Sequence, residues 1–86
     1  MNDYDVNQLY RYICLEIKNQ RQMLNKRQEE VAFDLNMSAG YLSRIENGKI
    51  KKLSLYTLLM LSDYYGIPFE KVVRNAKYKL ELDEEM

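Results

Sequence analysis

The chain has 86 residues with 13 basic and 13 acidic side chains, no histidine and one cysteine, and 47% of its residues are apolar. That length makes one domain with a modest core; a single cysteine excludes an internal disulfide framework. Without histidine neither a conventional zinc site nor His-based acid/base chemistry is expected, and no cofactor or metal is assigned.

No apolar run is long enough to span a bilayer and no signal-peptide pattern is present, so a soluble cytoplasmic protein is expected. The zero net charge argues at first against a polyanionic partner, but its distribution matters more than its sum. From Lys18 to Lys52 there are eight basic and four acidic residues, whereas from Lys79 onward there are one basic and four acidic. The molecule is polarised, basic in its middle and acidic at its C-terminus.

In chain order, Val6, Leu9, Ile13, Ile17 and Leu24 recur at helical spacings, and Asp5 with Gln8 has the spacing of a capping box. Together these predict a long amphipathic first helix from about Val6 to Leu24. Cys14 neighbours the inward positions and reads as a small buried apolar residue. Asn25 with Gln28 offers a cap for a second helix, in which Val31, Ala32 and Leu35 keep helical spacing, and Asn36 suits the left-handed conformation that stops a helix. Ser38 then caps a third helix. Its Leu42 and Ile45 turn inward and leave Ala39, Gly40, Tyr41, Ser43 and Arg44 on the outward face. Asn47-Gly48 closes it, being the residue pair most tolerant of positive φ. Two short helices joined by a tight link read as a helix-turn-helix over residues 28–48.

At this point a resemblance can be named. Gln28-Glu29-Glu30-Val31-Ala32, Ser38, and the string Ser43-Arg44-Ile45-Glu46-Asn47-Gly48-Lys49 resemble the Cro/cI repressor-type helix-turn-helix family, also called the xenobiotic-response-element type. The likeness covers roughly Ile13 to Val73. It implies a DNA-binding domain whose base-reading positions are Ala39, Gly40, Tyr41, Ser43 and Arg44. It also implies a partly buried ion pair between Arg21 and Glu46, tying the first helix to the reading helix. In this family the first helix would start later, so the stretch up to Tyr12 looks like an addition, packed either within the chain or against a second copy. The chain departs from the family at Lys26 and Arg27, where an apolar residue and a Ser or Thr cap are usual.

Beyond the motif, Ser54 caps a fourth helix carrying Leu55, Leu58, Leu59, Leu61, Tyr64 and Tyr65, apolar on more than one face and expected at the centre of the core. Gly66 suits its C-terminal turn, and Pro68-Phe69 opens a short fifth helix with Val72, Val73 and Ala76. In the tail, Tyr78, Leu80 and Leu82 alternate with Lys77, Lys79, Glu81 and Asp83, which favours a half-buried strand. With no second strand evident, such a strand would pair across a two-fold axis, as some Cro-like proteins do. A continued helix with Val72, Ala76 and Leu80 on one stripe competes with it, as does disorder.

The expected fold is all-α: a five-helix Cro/repressor-like domain over residues 1–76 (core 13–73), with an extended first helix and an acidic tail, 77–86, suited to an intermolecular strand. Arg44 is the strongest candidate for base readout, since a guanidinium can bond both acceptors of guanine. Lys26, Arg27, Gln28, Ser38, Asn47, Lys49, Lys51 and Lys52 are the candidate phosphate contacts. One reading head covers few base pairs, so a homodimer on double-stranded DNA is expected, with Tyr4, Leu9, Tyr10, Tyr78, Leu80 and Leu82 as candidate interface residues. The functional reading is a sequence-specific transcriptional regulator, most simply a repressor. The alternatives are an antitoxin whose other surface blocks a toxin, and a protein-interaction module, with a toxin or antirepressor as partner. An enzyme is not expected: the carboxylates are scattered and nothing activates a nucleophile.

Overall fold

A computed structural model describes residues 1–85, and among them the chain forms five helices and no strand. They are α1 (Asp3–Met23), α2 (Gln28–Asp34), α3 (Ala39–Glu46), α4 (Leu55–Tyr64) and α5 (Phe69–Glu84). α1 starts earlier than its apolar periodicity predicts. Asn2 is its cap, accepting from the Asp5 amide at 2.9 Å, and the Asp5 carboxylate accepts in return from the Asn2 amide. Asp5 therefore belongs inside the first turn, where a carboxylate also opposes the positive end of the helix dipole.

The other helix ends follow one scheme. After α1, α2, α3 and α4 the residue beyond the cap is left-handed: Asn25 (φ 55), Asn36 (φ 58), Gly48 (φ 69) and Gly66 (φ 73). In each case the next amide bonds back to a carbonyl of the last turn, as Lys26 does to Arg21 and Lys49 to Arg44. These are Schellman closures, and only residues tolerant of positive φ can make them. Asn25 is thereby used to end α1 and is not the cap of α2. That helix starts at Gln28 after Arg27, whose amide donates to the Glu30 carboxylate at 3.0 Å. Ser38 and Ser54 cap α3 and α4, their hydroxyls accepting from the Tyr41 and Thr57 amides.

The tail is not a strand. α5 continues to Glu84, so the alternating Tyr78, Leu80 and Leu82 lie on a helix; Met86, the last residue of the expected tail, lies outside the described residues. Alternation over five positions fits either period, and long-range packing decides between them. α1 and α5 pack antiparallel: Glu16 meets Asn75 and Lys79, while further back along α1 Tyr12 donates its hydroxyl to Asp83. Glu16 is fully sequestered, accepting from Gln20 (2.8 Å), Asn75 (3.1 Å) and Lys79 (2.6 Å). Burial pushes its carboxyl pKa up, but Lys79, Gln20 and Asn75 together outweigh this and hold it below the ordinary value.

The core comprises Ile17, Val31, Ala32, Leu42, Ile45, Leu58, Leu61, Tyr65 and Val72, with Cys14 and Ala76 also buried. Each fully buried aliphatic side chain in it contributes about 1.5–3 kcal/mol relative to exposure. α4 is not central: it buries Leu58, Leu61, Ser62 and Tyr65 but leaves Leu55, Tyr56 and Leu59 outside. α1 is the helix on which both α3 and α5 pack, although Val6 and Leu24 near its ends, expected inward, are about half exposed. The link from α1 to α3 is ionic. Arg21 forks onto Glu46, Nε to Oε2 at 2.7 Å and Nη2 to Oε1 at 3.0 Å, with Glu46 fully buried. Gln28 Nε2 donates to the same carboxylate at 2.9 Å, and Arg21 Nη1 donates to the Lys26 carbonyl.

Glu46→Ala would strand a buried guanidinium, and a loss of about 3–5 kcal/mol is expected. Urea unfolding should show it as a large drop in midpoint; an unchanged midpoint would contradict a structural role for the pair. Because the Glu16 pKa is lowered on folding, its contribution is complete above the unfolded carboxylate value of about 4.3 and is lost as pH falls through the folded value. The stability advantage of the native chain over Glu16→Gln should therefore hold at pH 6 and shrink below about pH 4, as followed by thermal melts across that range.

Candidate nucleic-acid interface

The outward side of α3 is narrower than its sequence suggests. Ala39 and Tyr41 are half-buried and pack partly on the core, so only Gly40, Arg44 and part of Ser43 stand fully outward. Arg44 does not project at random. Its Nη1 lies 3.7 Å from where a Cβ on Gly40 would stand, and its Cζ is 5.8 Å from the Tyr41 ring centroid. Helical side chains lean toward the N-terminus, so Gly40, one turn back, is where Arg44 comes to rest. The guanidinium is thus presented over the first turn of α3, beside an aromatic face, with no carboxylate at ion-pair distance among the described residues.

The candidate phosphate contacts divide. Lys49, Lys51 and Lys52, all exposed and without an ion-pair partner among the described residues, form a positive run directly after α3. Ser38 uses its oxygen to cap α3 but keeps its hydroxyl proton to donate. Asn47 turns its amide back to the Ser43 carbonyl at 2.9 Å, leaving its side-chain oxygen free of that bond. Gln28 is committed inward to Glu46, so its amide NH2 is partly used by the ion pair. Lys26 lies over the Tyr64 ring at 5.5 Å, and Arg27 is paired loosely with Glu30 at 3.4 Å. A charge engaged with a ring or a neighbouring carboxylate is less available than the lysines after α3.

The six candidate interface residues also separate. The Tyr10 hydroxyl donates to the Ile50 carbonyl, and burial pushes its pKa up to about 12. Leu9 and Leu80 line a shallow cleft between α1 and α5. Tyr4, Tyr78 and Leu82 remain exposed, the last two one turn apart on α5. Sequence reasoning passed over Arg11, which the structure sets against Gly48. It also passed over the exposed apolar residues Phe33 and Tyr56. The i, i+4 spacing of Asn7 and Arg11 on the added turns of α1 was the available signal for a polar face there.

No helix among the described residues is long and apolar enough to cross a membrane. A search of curated proteins finds no match to this chain. A family model, described as helix-turn-helix, matches residues 17–72, well over half of the chain and including α2, α3 and α4 entire. The chain belongs to the Cro/cI-type helix-turn-helix family of DNA-binding transcription regulators.

Proposed function

We propose that the protein is a repressor that binds an inverted-repeat operator as a homodimer, with α3 in the major groove. The observation that carries this reading is Arg44, in the last turn of α3 with its guanidinium leaning back over Gly40, followed by Lys49, Lys51 and Lys52, none of them with an ion-pair partner among the described residues. A bidentate arginine reads guanine, while lysines beside the groove neutralise phosphates and set register. Ser43 and Tyr41 flank Arg44 as the other polar reading positions. Gly40 carries no side chain, and Ala39 offers only a methyl, so part of the selectivity would come from DNA shape. Ser38 and Asn47 bracket α3 as hydroxyl and amide contacts to the backbone.

Two copies are needed because one α3 spans only a few base pairs, and half-sites would lie about one helical turn apart. Exposed Tyr78 and Leu82 on α5, with Tyr4 on α1, supply the dimer face in this reading. Repression follows from occupancy: a bound dimer on a promoter excludes the polymerase, and nothing in the chain has to change shape. The apolar Phe33, Leu55 and Tyr56, exposed on α2 and α4, favour a second reading in which a protein partner such as a toxin docks beside the DNA-binding face.

Fluorescence anisotropy against the DNA upstream of the gene and a randomised duplex pool tests the first reading. Selective, salt-sensitive binding to an inverted repeat is expected, and Arg44→Ala should lose about 1–3 kcal/mol of selectivity while retaining non-specific affinity. Absence of binding at low salt would sink the repressor reading and favour the protein partner. Sedimentation equilibrium should find the native chain dimeric and the Tyr78→Ser, Leu82→Asp double variant monomeric. A double variant that stays dimeric would move the interface to α4.

A further inference from the structure

The first part of α1 precedes the matched family span, and the structure gives this added segment a definite seat. It lies against the turn that follows α3. The Tyr10 hydroxyl donates to the Ile50 carbonyl, and a Cβ placed on Gly48 would stand 3.7 Å from Arg11 Cγ and 3.8 Å from Arg11 Cα. Gly48 is left-handed there, so the turn and the helix approach each other with no side chain between them. A shallow concavity results, lined by Asn7, Gln8, Tyr10, Arg11, Gly48 and Lys51. Two cations and three neutral polar side chains line it, and no carboxylate among the described residues does.

Arg11 is exposed and has neither an ion-pair partner nor a hydrogen-bond acceptor among the described residues. Its Cζ stands 6.0 Å from the Tyr12 ring centroid, a contact that leaves the N–H donors open. An unpaired guanidinium, an ammonium and amide donors around one depression suit a singly charged phosphodiester. The neighbouring Lys49 and Lys52 lie in the same link between α3 and α4.

We infer that the added N-terminal turns of α1 form part of the DNA interface: Arg11, seated on Gly48 beside Lys51, takes a backbone phosphate beyond those reached from α3 and its following turn. The inference rests on the DNA-binding reading of α3. It assigns no base readout to Arg11. The phosphate contact supplies affinity and register, and sequence selectivity stays with α3.

The test is a potassium chloride titration of binding to a fluorescein-labelled randomised duplex pool, comparing the native chain with Arg11→Met and Arg11→Lys. Methionine keeps the aliphatic stem on Gly48 and removes the charge; lysine keeps both. Each phosphate neutralised contributes about 0.9 to the slope of log affinity against log salt. Arg11→Met should therefore lower the slope magnitude by about 0.9 per bound protomer, about 1.8 for the dimer, Arg11→Lys should leave it near the native value, and preference among sequences should be unchanged in both. A native slope in Arg11→Met would overturn the inference while leaving the DNA reading intact. So would weaker binding of Arg11→Met at an unaltered slope, since that would mark a packing role. A native chain that binds no duplex at low salt would overturn both.

Discussion

Arg21 and Glu46 are where the helix-turn-helix is fastened to the rest of the molecule. One buried carboxylate takes two bonds from α1 and one from Gln28 at the head of α2, while sitting at the last position of α3. Three helices converge on two oxygens. Isolated helices as short as α2 and α3 are marginal in water, so their mutual angle must be imposed from outside. Apolar packing of Val31, Leu42 and Ile45 draws the two together but is non-directional. The forked pair fixes direction, because a guanidinium meets a carboxylate well in few geometries. Such a pair is weak evidence for net stability, since both charges are desolvated. Its value here is geometric.

A second polar tie works at the other end of α1. Glu16 joins Asn75 and Lys79, and Tyr12 joins Asp83, so α5 is held along much of its length against the same helix that holds α3. α1 is thus a common spine, and its faces carry different chemistry: ionic toward α3, apolar and ionic toward α5, and an aromatic hydroxyl toward the turn at Ile50. The added N-terminal turns do not hang free; they complete this spine.

What could be read from the residues was what local chemistry decides. Ser38 and Ser54 as caps, Asn36 and Gly66 as stops, and the inward Leu42 and Ile45 depend on neighbours within a turn or so, and each stands as its residue type implies. The misses came where two local signals were equally good or where the deciding partner was remote. Asn25 could end one helix or begin the next. Its left-handed closure of α1 prevailed, and Glu30 reached back to Arg27 instead. Residues 78–82 fit a strand or a helix until Glu16 and Tyr12, some sixty to seventy positions earlier, are brought alongside. Within α3, Ala39 and Tyr41 look outward on a helical wheel, yet the neighbouring core draws them half inside. How the candidate site residues are engaged was not legible in this way: the sharing of Gln28 with Glu46 and of Lys26 with Tyr64 depends on tertiary contact and left no trace in the spacing.

Gly40 weakens α3 locally, since glycine in a helix is about 1 kcal/mol less favourable than alanine. Arg44 lies back along the helix over Gly40 and within reach of the Tyr41 face, its Nη1 3.7 Å from where a Cβ on residue 40 would stand, an ordinary contact that an alanine would also accept. A long flexible side chain held in this way has given up part of its rotamer freedom before meeting any ligand. Immobilising such a side chain on association ordinarily costs about 0.5–1.5 kcal/mol. The Tyr41 ring, by holding the guanidinium along the helix, reduces the entropy still to be lost at the contact, and an aromatic residue half sunk in the core becomes a device of preorganisation.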